Sequence, residues 1–185
     1  MKEEPNAFSD FIRSDYLNVR KMKEIKLSQQ GKNKGKYVVL VDDDVFELVN
    51  KFKWHVTHGK NTSYARRTVW IDGKKHHLWL HRIIMNTPEW LFVDHKDMNG
   101  LNCTRNNMRN CTVRQNKCNR ISYGSSKYLG VGYCLIDGKK RIRAQIRIDG
   151  KKVHLGLFDT EEKAAYAYDA AAKNHHGEFA NLNFK

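Results

Sequence analysis

The stretch Arg141-Ile142-Arg143-Ala144-Gln145-Ile146-Arg147-Ile148-Asp149-Gly150-Lys151-Lys152-Val153-His154-Leu155 alternates in polarity, breaks at a turn-forming dipeptide, and resumes. Successive side chains of a strand point to opposite faces. Ile142, Ala144, Ile146 and Ile148 therefore share one face and Arg141, Arg143, Gln145 and Arg147 the other. Asp149-Gly150 tolerates the positive φ of a two-residue hairpin turn, and the returning strand puts Val153 and Leu155 on the apolar face and Lys152 and His154 on the polar one. Upstream, Asp137-Gly138 is a second turn of this kind, so a strand from about Tyr128 precedes the pair. Downstream, the third strand ends near Phe158. Asp159-Thr160-Glu161-Glu162 then supplies a cap and first-turn acids for a helix that closes near Gly177. The helix body, Ala164-Ala165-Tyr166-Ala167-Tyr168-Asp169-Ala170-Ala171-Ala172, is small enough to lie close against a sheet. Three strands with one helix on their apolar face leave the arginine face uncovered.

The N-terminal half reads as a second small α+β module. Tyr37-Val38-Val39-Leu40-Val41 is a strand, and Val45, Leu48, Val49 and Phe52 follow at helical spacing. The intervening Asp42-Asp43-Asp44 is read as the acidic, capping start of that helix rather than as a metal cluster, because helix N-termini favour carboxylates. Strands are expected around residues 63–71 and 76–84, joined through Asp72-Gly73.

Composition narrows the function classes. Of 185 residues, 34 are Lys or Arg and 20 are Asp or Glu, a formal net charge of +14 that favours a polyanionic partner, nucleic acid first. With 40% hydrophobic and 11% aromatic residues the chain can build packed cores, which argues against a disordered basic tail. No apolar run approaches the ~18 residues of a membrane span, and no apolar stretch follows Met1 as a signal peptide would require. A cytoplasmic, DNA-associated protein is expected, with no membrane and no evident obligate protein partner. Cys103, Cys111, Cys118 and Cys134 stand singly with no C-x-x-C pair and read as reduced thiols; a zinc site from the first three would have atypical spacing. His76-His77 and His175-His176 have no partner at metal spacing and read as surface residues.

The charge is uneven. From Met98 to Ile136 there is no acidic residue, while Arg105, Arg109, Arg114, Lys117, Arg120 and Lys127 are interspersed with seven asparagines. Such a segment suits phosphate contact, and Arg105, Arg109 and Arg114 are candidate DNA-binding residues. Its midpoint, Ser122-Tyr123-Gly124-Ser125-Ser126, is small and polar. The expected organisation is an N-terminal extension (1–21), an N-terminal α+β region (22–121) with a core at about 78–120, a linker (122–126) and a C-terminal module (127–185).

Tyr128-Leu129-Gly130-Val131, Ala144-Gln145-Ile146-Arg147, Leu155-Gly156-Leu157-Phe158-Asp159-Thr160, Ala164-Ala165-Tyr166-Ala167-Tyr168-Asp169 and Leu182-Asn183-Phe184 together resemble the AP2/ERF DNA-binding domain. The resemblance runs from about Lys127 to Phe184. It implies that the three-stranded sheet enters the DNA major groove with Arg141, Arg143, Gln145, Arg147, Lys152 and His154. Leu129, Gly132 and His154 depart from the family's usual residues, so its sequence preference does not carry over.

A second set of residues carries chemistry: Leu80-His81-Arg82-Ile83-Ile84-Met85, Val93-Asp94-His95-Lys96-Asp97-Met98-Asn99-Gly100, Asn106-Asn107-Met108 and Gln115-Asn116. These resemble the HNH nuclease family, in its phage and intron homing-endonuclease form, over about His81 to Asn119. The resemblance implies a ββα-metal arrangement in which a strand hairpin and a helix enclose one divalent ion. Asp94 and Asn116 would be the metal ligands, hard oxygen donors suited to Mg²⁺ or Mn²⁺. His95 would be the general base, since a neutral imidazole near pH 7 can take a proton from attacking water, and Asn107 would orient it. His81 is a neighbour of the site, expected on a buried strand.

The expectation is thus an α+β, metal-dependent DNA endonuclease acting on double-stranded DNA and targeted by an AP2-like module. The alternative from a different class is a non-catalytic, sequence-specific DNA-binding regulator; the intact Asp94, His95, Asn107 and Asn116 favour the enzyme. An RNA-binding role has charge in its favour but no RNP-type or KH-type motif.

Overall fold

A computed structural model describes residues 21–28, 35–120, 122 and 124–184. Nearly all of the expected N-terminal extension, and Tyr123 of the expected linker, lie outside the described residues. In chain order the elements are β1 (Met22–Lys26), β2 (Val38–Asp42), α1 (Asp43–Asn50), β3 (His55–His58), β4 (Ser63–Ile71), β5 (Lys74–Trp79), α2 (Leu80–Ile84), β6 (Phe92–His95), β7 (Asn102–Cys103), β8 (Met108–Cys111), α3 (Val113–Asn116), β9 (Val131–Ile136), β10 (Lys139–Ile148), β11 (Lys151–Phe158), α4 (Glu161–His176) and a 3₁₀ turn, Gly177–Phe179. The class is α+β, with several small sheets. By internal contacts the chain forms two compact units, Met1–Ile84 with Gly100–Asn107, and Met85–Asn99 with Met108–Lys185. Among the described residues no helix is long and apolar enough to cross a membrane.

In the first unit β2 is the central strand, antiparallel to β1 and parallel to β7. Val39 and Val41 of β2, Ile25 of β1, and Val45 and Val49 of α1 are buried, and Trp54 closes this core by donating its indole N–H to the Val49 carbonyl at 2.8 Å. Leu48 and Phe52 are exposed, against the helical pattern read from the sequence. The helix ends at Asn50, and the exposed Phe52 ring instead makes a cation–π contact with the Arg67 guanidinium, 3.9 Å from its centroid. The aspartates do open the helix as expected, Asp42 at the N-cap position and Asp43 and Asp44 in the first turn, but two of their carboxylates are engaged elsewhere. Asp42 makes no side-chain cap; its buried carboxylate accepts the Arg105 backbone N–H at 2.9 Å, and Asp44 takes the Arg105 guanidinium at 2.6–2.7 Å. These bonds tether residues 100–107 to the start of α1.

The β4–β5 hairpin turns at Asp72-Gly73, whose φ values of +49° and +72° are those a two-residue turn demands. The strand expected to continue to Ile84 stops at Trp79, and Leu80–Ile84 is helical. The apolar residues there, Leu80, Ile83 and Ile84, are spaced i, i+3, i+4, which fits a helical face anchored by the fully buried Leu80.

In the second unit β6 and β8 form a two-stranded antiparallel ribbon followed by α3, which starts on a reciprocal Thr112–Gln115 capping box. The sheet β9–β10–β11 is antiparallel throughout, with turns at Asp137-Gly138 and Asp149-Gly150. Its register slips by one residue between Ala144 and Gln145, where Leu155 of β11 is the extra residue. Helix α4 lies on one face: Ala144, Val131, Ala164 and Ala165 form one buried cluster, and Leu129, Ile146, Tyr168 and Ala172 the next. Gly130 is indispensable to that approach, because a Cβ there would sit 1.9 Å from the Tyr168 ring. Asp169, buried on α4, accepts the backbone N–H groups of Asn183 and Phe184, while Asn183 brackets both backbone polar groups of Leu129. Asn183 and Phe184 are thereby fastened to α4, and Asn183 to the start of the sheet.

Candidate active site

Strand β6 ends in Asp94 and His95, both buried, at 3% and 6% exposure. Buried carboxylates need partners, and the β6–β8 register supplies one by placing Arg109 opposite Asp94. Arg109 donates through Nε and Nη2 to Asp94 Oδ2 at 2.8 and 2.6 Å. Asn119, just past α3, donates one amide hydrogen to Asp94 Oδ1 and the other to the His95 carbonyl, each at 2.8 Å. Behind these groups the Cys111 thiol is pushed up to about 11 by its burial, with the Asp94 carboxylate adding to the effect. After His95 the chain turns sharply: Met98 donates its N–H to the His95 carbonyl at 2.8 Å and adopts φ +62°, and Asp97 Oδ1 accepts the Asn99 N–H at 2.8 Å.

Burial lowers the pKa of His95 more than the nearby Asp97 and Asp94 carboxylates raise it. Its imidazole is accordingly neutral near pH 7, the form able to accept a proton.

The expected site residues fall as follows. Asp94, His95 and Asn116 belong to the second unit, the first two on β6 and Asn116 at the end of α3, which packs against both β6 and β8. Asn107 and His81 belong to the first unit. Asn107 donates its side-chain amide to the Asn102 carbonyl at 2.9 Å. His81 lies on α2, not on the expected strand, with its ring 5.4 Å from that of Tyr64 and 6.0 Å from that of Trp79. Among the arginines, Arg105 is engaged by Asp44 and Asp42, and Arg114 pairs with Asp149 at 2.6 Å in an exposed position where such a pair adds little stability. Asn119 and the inward role of Arg109 were not foreseen. Asn119 stands three residues beyond Asn116, inside the segment that carries the family resemblance.

On β10 and β11, Arg141, Arg147, Lys152 and His154 are exposed and Arg143 and Gln145 half-buried. A depression of about 240 Å³ beside them is lined by Arg120, Gln145, Arg147 and Lys152 among others, a cationic surface without a carboxylate.

No protein-family model matches the chain. No solved structure matches it either. An uncharacterized HNH endonuclease of Acanthamoeba polyphaga mimivirus is 30% identical over 156 residues, 83% of this chain and 78% of that protein. The chain belongs to the HNH endonuclease family. For an HNH endonuclease the donor set bears on the divalent ion that the family implies. Among the described residues no three or more His, Cys, Asp or Glu side chains gather as a ligand group. Asp94 and Asn116 are oxygen donors on two elements packed together, a set that fits Mg²⁺ or Mn²⁺, ions commonly bound by one or two protein oxygens with water and substrate phosphate completing the shell.

Proposed function

We propose that this HNH endonuclease is a metal-dependent enzyme that hydrolyses phosphodiester bonds of double-stranded DNA, of the homing type, and that its C-terminal AP2-like sheet delivers it to its target. The observation that carries the reading is the buried Asp94-His95 pair at the end of a two-stranded ribbon, followed by a helix ending in Asn116. Asp94 and Asn116 would hold one Mg²⁺ or Mn²⁺ ion. When bound, such an ion stabilises charge on the scissile phosphate and the leaving 3′ oxygen. His95, kept neutral by burial, accepts a proton from the attacking water at its imidazole nitrogen. The ribbon excludes solvent from the carboxylate and imidazole, which strengthens every charge interaction there.

Arg141, Arg143, Gln145, Arg147, Lys152 and His154 supply the DNA-facing surface. Arginines on a strand can meet guanine edges in the major groove or phosphates along its rim. The absence of carboxylates from the adjoining depression favours a polyanion. The test is conversion of supercoiled plasmid to nicked or linear product in Mg²⁺ or Mn²⁺ and not in EDTA. Cleavage that persists in EDTA would refute the metal-dependent mechanism.

A further inference from the structure

Arg109 comes from the basic, acid-free stretch, yet its guanidinium faces inward with only 13% of the side chain exposed. Two of its N–H groups are spent on Asp94 Oδ2. Nη1 donates to the Glu178 backbone carbonyl, the Glu178 carboxylate lies 3.8 Å off, and the Phe179 ring centroid is 4.1 Å from the guanidinium carbon. One arginine thus joins the candidate metal ligand to the Gly177–Phe179 turn at the end of the C-terminal module. A carboxylate has about four lone-pair directions. Arg109 takes two on Oδ2 and Asn119 takes one on Oδ1, which leaves a single direction, on Oδ1, for any further partner.

We propose that Arg109 is a positioning residue of the metal site: it locks the Asp94 carboxylate so that Oδ1 alone is offered to a divalent ion, its charge weakens that ion's binding, and the Glu178–Phe179 turn holds it in place. The inference rests on Asp94 being a metal ligand. Without Arg109 the carboxylate is free to turn and offer both oxygens, and a like charge is removed from beside the ion. Metal should bind more tightly while turnover falls, because the reacting groups lose their fixed geometry. A salt bridge serving stability alone would lower the melting temperature without tightening metal binding.

The experiment is calorimetric titration of the full chain with Mn²⁺, without DNA, alongside single-turnover cleavage at saturating Mn²⁺. Asp94→Asn should lose Mn²⁺ binding. Arg109→Gln should bind Mn²⁺ ~10-fold more tightly or better and cleave at least ~10-fold more slowly. Arg109→Lys keeps the charge and loses the fork, so its Mn²⁺ affinity should stay within ~3-fold of wild type while cleavage remains slow. Phe179→Leu, which loosens the far end of the arginine, should shift both readouts the same way by less. Wild-type or weaker Mn²⁺ affinity in a folded Arg109→Gln variant would overturn the proposal. Should that variant not fold, unchanged affinity in Phe179→Leu would do so. Undiminished Mn²⁺ binding by Asp94→Asn would instead remove Asp94 from the site, and the role of Arg109 with it.

Discussion

Replacing Gly130 with alanine tests the close approach of helix and sheet on which the C-terminal module depends. Gly130 sits at φ +79°, and a Cβ there would lie 1.9 Å from Tyr168 Cδ2 and 2.6 Å from two further ring atoms. Tyr168 is 1% exposed and packs against Leu129, Ile146 and Ala172, so its ring cannot swing into solvent. The left-handed backbone costs an alanine ~1–2 kcal/mol, and displacing a packed ring costs ~1–3 kcal/mol more. The sum, ~2–5 kcal/mol, is a large share of the ~5–15 kcal/mol that holds a domain together. At ~4–8 °C per kcal/mol for a unit of this size, the melting temperature should fall by ~10 °C or more. Gly138→Ala is the control: it has φ +70° but nothing within 4 Å, so only the backbone cost applies. Thermal unfolding followed by circular dichroism on both variants separates the contributions. Equal melting temperatures would refute the steric argument.

The strand face makes a different prediction. If Arg143 or Arg147 reads a base edge, its alanine variant should lose ~1–3 kcal/mol of binding on the preferred duplex and much less on random DNA; equal losses on both, measured by fluorescence anisotropy, would make it a phosphate contact. Because the clusters beneath that sheet draw only on residues of the C-terminal module, a fragment of residues 127–185 should fold and bind DNA alone, and a random-coil dichroism spectrum would rule this out. Cys111, raised from an ordinary 9 to about 11, holds its proton until the pH approaches 11. Native alkylation at pH 8.5 should therefore spare it, and its contribution to stability should fall away only as the pH rises from 9 through 11. Mass spectrometry finding Cys111 modified faster than Cys134 would contradict that burial.

The hairpins and the terminal helix were legible because their signals are local. Asp137-Gly138 and Asp149-Gly150 sit between alternating runs, and Thr160, followed by Glu161 and Glu162, caps Glu161–His176 by accepting the Lys163 N–H. Asp94 and His95 stood out for the same reason, as adjacent residues of distinct chemistry. What stayed hidden depends on pairing between distant segments. The Asp94–Arg109 bridge follows from strand register, which no single stretch of residues encodes, and the bonds from Arg105 to Asp42 and Asp44 likewise join segments far apart in the chain, beyond the helix start that these aspartates mark. The register slip beside Ala144 is equally invisible in a sequence that alternates through it. At Leu80, strand and helix patterns overlap for a few residues, and the change of period emerges only with Ile83 and Ile84.

The most direct test of the account is the rate of Mn²⁺-dependent cleavage of supercoiled plasmid by His95→Ala, measured beside its DNA affinity. Loss of a general base should slow cleavage by about 10² to 10⁴. Binding should stay close to wild type, because no cation that meets phosphate is removed. Cleavage at the wild-type rate would contradict the account, since the buried, neutral imidazole would then take no part in the chemistry.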